Sequence, residues 1–287
     1  MKAHWSEHPD RDEAWADTER SRIGEERFRR EHECEFLIFD ETLISSLTLA
    51  DMEGVPPVVT PGQGRWLKRP TPGMTYLVSL DPSMGTGGDY AAIQIFELPT
   101  FEQIGEWHHN MTPMNKQVQI LQGINKHIHD TIMEKDATAT PQIFYSMENN
   151  TIGEAALMRV MDIGEENIDR KFISEHIRKG HRRKFRRGFN TTAKHKIDAC
   201  TKFKELVESG KMKINSQLLI SELKDFVATG LSYKAKPGQH DDLVMSCLLT
   251  TRMMKVLADF DPKIFEKWTD RTSELTTPMP IFGNFYG

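Results

Sequence analysis

Two apolar runs that each end in a carboxylate constrain this chain most. Tyr76-Leu-Val-Ser-Leu80 runs into Asp81, and Gln142-Ile-Phe-Tyr-Ser-Met147 runs into Glu148. Short apolar runs with β-branched and aromatic content read as buried strands. A third acidic position, Asp241-Asp242 behind His240, opens the apolar helical pattern Leu243-Val-Met-Ser-Cys-Leu-Leu249. A chain that closes two buried strands and opens a helix with carboxylates can gather them at one edge of a sheet. Oxygen ligands gathered in this way are what hard divalent cations bind.

Around these segments the periodicity predicts an α/β fold with a mixed central sheet flanked by helices. Strands are expected at Tyr76–Leu80, Tyr90–Phe96 and Glu102–His108, with the turn Asp81–Gly88 after the first. Apolar spacing predicts a helix over Asn115–Met133, a strand over Gln142–Met147 and a helix over Gly153–Met161. Further on come a helix over Thr192–Ser209 closed by Gly210, a short strand over Lys211–Ile214, and helices over Ser216–Val227 and Asp241–Val256. Residues 1–70 read as a flanking segment: surface helices around Ala14, Ile23 and Phe28, an apolar stretch Phe36–Phe39, and a Pro/Gly-rich connector running from Val55 to Gly73. Residues 71–258 form the main domain and residues 259–287 a tail.

Composition excludes several classes. No apolar run approaches the ~20 residues that span a bilayer, and the charged amino terminus lacks a signal-peptide apolar region. Cys34, Cys200 and Cys247 have neither zinc-site nor disulfide-framework spacing, which points to a reducing compartment. No G-x-x-x-x-G-K-[ST] string occurs, so no phosphate-binding loop for ATP is indicated. The formal net charge of −5 argues against a general nucleic-acid coat protein. Positive charge is instead local: Arg178, Lys179, Arg182, Arg183, Lys184, Arg186 and Arg187 fill seven of ten positions. Lys194 and Lys196 would extend that surface, which suits a phosphate backbone, although a solvated loop would carry the same charges.

Phosphodiester hydrolysis by two divalent ions needs carboxylates that flank and bridge the metals. Asp81, Glu148 and Asp242 are the candidates, with Asp241 as alternative or additional ligand. Asp89, in Gly85-Thr-Gly-Gly-Asp89, lies either near the metals or in the turn. His240 either supports a metal ligand as a proton shuttle or is a loop residue ahead of a helix. Taken singly, the acidic segments also fit a turn, a loop and a helix N-cap. Their order, strand–Asp, strand–Glu and helix-start–Asp, is the specific signal, and it predicts a metal-dependent nuclease.

The strings SLDPSMGTGGDYAA, YSMENNTIG and QHDDLVMS resemble the three acidic motifs in the nuclease half of the large terminase subunit of tailed phages. The leading HPDRDEAWADTERSRIGEERFRREHECEFL resembles the region where that family's ATPase half ends and its linker begins. The resemblance implies an RNase H-like fold of the RuvC/integrase type and two Mg²⁺ or Mn²⁺ ions. It further implies cutting of concatemeric viral double-stranded DNA during packaging, in the cytoplasm of an infected bacterial host. By motif it carries the catalytic role to Asp81, Glu148 and Asp242. The implied partners are DNA, the packaging ATPase half, the small terminase subunit and the portal, with no membrane. The family's ATPase half is absent from this sequence, so translocation is not expected of it. Two other readings share the same residues: a resolvase- or integrase-type nuclease on the same scaffold, and a non-catalytic DNA-clamping or portal-docking module.

Overall fold

A computed structural model describes residues 5–33, 41–58, 64–163, 171–179 and 182–260. The expected apolar stretch Phe36–Phe39, together with residues 180, 181 and 261–287 and hence most of the expected tail, lies outside the described residues. Helices α1 (Glu13–Ile23) and α2 (Glu25–His32) enclose a small aromatic cluster of Trp5, Trp15 and Phe28. Helix α3 (Ser46–Asp51) follows, and β1 (Arg65–Trp66) leads into the sheet. The expected connector therefore supplies an edge strand, because Arg65 and Trp66 pair antiparallel with Glu106 and Gly105.

The core runs β2 (Thr75–Asp81), β3 (Ala91–Leu98), β4 (Glu102–His109), α4 (Met114–Lys135), β5 (Gln142–Met147), α5 (Thr151–Ile163) and β6 (Lys171–Phe172). A hairpin of β7 (Glu175–Lys179) and β8 (Arg182–Arg186) follows, then α6 (Ala193–Glu208), α7 (Gln217–Asp225), the hairpin β9 (Phe226–Thr229) with β10 (Ser232–Ala235), and α8 (Asp242–Phe260). The six-stranded sheet has the order β1-β4-β3-β2-β5-β6. Strands β2 and β3 are antiparallel, whereas β2 and β5 are parallel, which makes the sheet mixed as the sequence predicts.

Two buried clusters cover the two faces of the sheet. Tyr76, Val78 and Leu80 of β2 pack with α4 and α5, while Leu77 packs with α6, α7 and α8. Alternation along a strand sends residues 77, 79 and 81 to one face. Ser79 accordingly meets α8: its Oγ donates to the Ser246 carbonyl at 2.8 Å and lies 2.7 Å from Thr250 Oγ1. A buried hydroxyl left without a partner costs about 1–3 kcal/mol, so this contact fixes the register of α8 against β2.

Two segments differ from the sequence expectation, and the basic run takes up an element that the sequence left open. Helix α7 stops at Asp225 rather than Val227, because Phe226 to Ala235 form a hairpin turned at Gly230 (φ +61°). Residues 41–43 pair along that hairpin, with Leu43 N–H donating to the Phe226 carbonyl at 3.0 Å. Lys211–Ile214 contributes one bridge, Lys213 to Glu102, instead of a strand. The basic run forms the β7–β8 hairpin, with Arg178 opposite Arg183 and Lys179 opposite Arg182.

Candidate active site

Parallel pairing of β2 and β5 aligns their carboxyl-terminal ends. Leu80 is in register with Met147, and Glu148 N–H donates to the Leu80 carbonyl at 3.0 Å. Asp81 and Glu148 therefore leave the sheet side by side. Burial, and next the Glu148 carboxyl, push the Asp81 carboxyl well above the usual carboxylate range, and Asp242 and Asp241 add to the effect. Like charges this close disfavour joint ionisation.

Asp81 shares its face with Ser79, the face on which α8 docks. The helix begins at Asp242, so the docking brings Asp242 towards the strand-end pair. Burial raises the Asp242 carboxyl to about 6, opposed by the Tyr90 backbone N–H, which it accepts. Asp241 raises it further, His240 lowers it and Asp89 raises it. Asp89 is thus within electrostatic reach of Asp242, on an exposed stretch of the β2–β3 loop. His240 Nδ1 is 3.6 Å from Asp242 Oδ2, and its ring stands edge-on to Tyr90 at 4.8 Å.

One oxygen of Asp241 is engaged away from Asp242. That Oδ2 accepts from the Ala235 N–H at 3.3 Å and lies 3.9 Å from Lys196 Nζ. Lys196 is thereby drawn to the acidic pair and sits over the Phe226 ring at 5.2 Å, while Lys194 is exposed.

Several contributors carried no local sequence signal. Asn150 donates to Glu148 Oε2 at 2.7 Å and accepts from the Gly153 N–H at 2.7 Å, so it orients the acid and caps α5 together. Gly153 lies so close behind Glu148 that a Cβ there would meet the Glu148 carbonyl oxygen at 1.9 Å. Glu222, on α7, accepts the Val244 N–H at 3.1 Å. An asparagine after a strand or a glutamate in an amphipathic helix is ordinary, and only the tertiary fold gives these residues a place at the site.

The segment leaving the basic hairpin is tied to the same edge. Asn149 N–H donates to the Phe189 carbonyl at 2.7 Å, and Asn149 Nδ2 donates to the Arg187 carbonyl at 2.7 Å. Arg252 of α8 pairs with Glu175 at the hairpin's base at 2.8 Å. Arg187 is exposed where the hairpin rejoins the body, whereas the side chains of Arg178, Lys179, Arg182, Arg183, Lys184 and Arg186 lie outside what is described.

Among the described residues, no three His, Cys, Asp or Glu side chains converge into a ready-made metal cage. The donor set still suits a hard divalent ion. It is all oxygen, two of its acids are shifted upward by burial and mutual repulsion, and Mg²⁺ typically takes one or two carboxylates plus waters and phosphate oxygens. A cation placed there would relieve that repulsion.

A family model for the terminase RNase H-like domain matches residues 78–253, which include Asp81, Glu148 and Asp242. Among solved structures, the large terminase nuclease from thermophilic phage G20c with bound magnesium aligns at a TM-score of 0.55 and 16% identity, over 75% of this chain and 97% of that one. The same nuclease with bound cobalt gives the same values. A further structure of that nuclease aligns at 0.53 and 16% identity, over 73% and 97%. Identities this low speak for a common fold.

Proposed function

Because this chain belongs to the terminase RNase H-like domain family, we propose that it is a metal-dependent endonuclease that cuts double-stranded viral DNA during genome packaging. The observation that supports the reading is that Asp81 lies beside Glu148 and within electrostatic reach of Asp242 at one sheet edge, inside the matched segment. Asp81, Glu148 and Asp242 would hold Mg²⁺ or Mn²⁺, two ions in all, with Asp241 beside them. Bound there, divalent metal supplies an activated water and neutralises charge at the phosphate. The G20c nuclease, with its bound magnesium or cobalt, supports divalent chemistry of this kind.

The chain's own groups have separable tasks. Asn150 orients Glu148, and the Tyr90 N–H and His240 steady Asp242. Lys196 moderates the charge of Asp241. The basic hairpin, Arg187 and Lys194 would bind the phosphate backbone, a contact that is largely independent of sequence. Among the described residues, no helix is long and apolar enough to cross a membrane. The proposed setting is the host cytoplasm, with the packaging ATPase half, small terminase subunit and portal as partners. We assign residues 71–258 to the nuclease, with 1–70 as the segment leading into it and 259–287 as a tail.

The test is plasmid nicking without ATP in Mg²⁺, Mn²⁺ or EDTA, beside Asp81→Asn. Metal-dependent nicked or linear product, absent from EDTA and from the variant, is expected. Equal cutting by the variant would remove Asp81 from the site, and no cutting in either metal would defeat the reading.

A further inference from the structure

Helix α8 is capped by a side chain from another helix. The Asp241 carbonyl accepts the first helical bond, from Met245 N–H at 2.8 Å, so Asp241 holds the N-cap position. An Asp there ordinarily turns its side chain onto the first free N–H groups of its own helix. This one is turned towards Ala235 and Lys196 instead. The free groups go to Glu222 of α7, whose carboxyl accepts from Val244 N–H at 3.1 Å and also from Leu243 N–H.

The body of α8 is pinned to β2 through Ser246 and Thr250, which begin one turn beyond Asp242. The first turn lies outside that clamp, and a terminal turn frays unless its N–H groups are satisfied. We propose that Glu222 is a positioning residue: by capping α8 from α7 it sets the first turn, and with it the place of the Asp242 carboxylate facing Asp81. This inference rests on the reading of the site as a metal-dependent nuclease. Burial raises the Glu222 carboxyl to about 9 against the two N–H bonds, and Asp242 and Asp241 add to the rise. The cap needs only an acceptor oxygen at the Val244 N–H, which the glutamine side chain also carries, so glutamine is a faithful replacement.

Groups that hold metal ligands in place typically cost about 10–100-fold in metal affinity when removed. The experiment is Mn²⁺ binding to the full chain by electron paramagnetic resonance, with plasmid cleavage on the same preparations. Glu222→Ala, and Glu222→Asp, which withdraws the acceptor by one methylene, should bind Mn²⁺ about 10–100-fold more weakly. Glu222→Gln should match the wild type in both assays. Should Glu222→Ala fail to fold, Glu222→Asp carries the test. Wild-type Mn²⁺ affinity in the Asp variant, or a Gln variant as weak as the Asp one, would overturn the role. A wild-type chain that neither binds Mn²⁺ nor cuts would instead overturn the nuclease reading, and the inference with it.

Discussion

Two helical glycines separate packing from chemistry. Gly123 is exposed in α4, and a Cβ added there meets nothing within 4 Å. Gly153 is in α5, where a Cβ would lie 1.9 Å from the Glu148 carbonyl oxygen and 2.8 Å from its carbon. An ordinary carbon–oxygen contact is about 3.3 Å or more, so Gly153→Ala forces a displacement of more than about 1 Å between α5 and the Glu148 backbone. Overpacking of this kind costs about 1–3 kcal/mol. At about 3 °C per kcal/mol for a domain of this size, the melting temperature should fall by about 3–9 °C. A misplacement of about 1 Å in a catalytic group can cost about 10²-fold in rate. Cleavage by Gly153→Ala should therefore drop by about 10²-fold even at a temperature where the variant is fully folded. Gly123→Ala should gain about 1 kcal/mol, melt about 2–4 °C higher and cut as the wild type does. The assays are thermal melts by circular dichroism and initial rates of plasmid nicking. A Gly153→Ala variant with wild-type melting and wild-type rate would refute the close approach behind Glu148.

Asp81→Asn and Glu148→Gln should each abolish cleavage, and Asp81→Asn should melt at or above the wild-type temperature in metal-free buffer. The sign follows from the raised Asp81 carboxyl: the stability linked to it is present below its unfolded pKa and is lost as pH rises through the folded one, and asparagine removes that loss. A lower metal-free melting temperature near neutral pH would contradict this. Glu102 behaves in the opposite sense: against a burial cost, Lys213, Lys68 and Asn215 hold its carboxyl at about 2, below the ordinary 4.5. Its contribution is present above pH 4.5 and is lost as pH falls towards 2, so the stability deficit of Glu102→Gln should shrink over that window, and a constant deficit would exclude the linkage. Replacing Arg182, Arg183, Arg186 and Arg187 with Ala should flatten the plot of log K against log salt by up to ~0.9 for each phosphate these arginines neutralise on duplex DNA. An unchanged slope in a filter-binding titration would show that the hairpin does not touch DNA.

The sequence makes the sheet edge legible because each piece of it is local. Tyr76–Leu80 and Gln142–Met147 are apolar runs whose following residue must emerge from the core, and in both cases it is an acid. The helix after Asp241 shows its period within eight residues. What local pattern misses depends on distant partners. Phe226–Thr229 continues a helical apolar spacing, yet it becomes a strand because residues 41–43 and 232–235 pair with it. The basic run shows its charge in the sequence but not its element, which comes from antiparallel pairing between Glu175 and Arg186. Lys196 reads as one more surface cation on a helix, and only the approach of α8 brings Asp241 to it. Glu222 and Val244 are 22 residues apart with a hairpin between them, so no spacing rule links the cap to its helix.

Joint binding of divalent metal by Asp81, Glu148 and Asp242 would be seen in anomalous diffraction from a Mn²⁺-soaked crystal. The predicted result is an anomalous peak within coordination distance of Asp81 and of at least one of Glu148 and Asp242, which disappears in Asp81→Asn. A peak bound elsewhere with these three carboxylates empty, in crystals of protein that cuts DNA, would show that they are not the metal site.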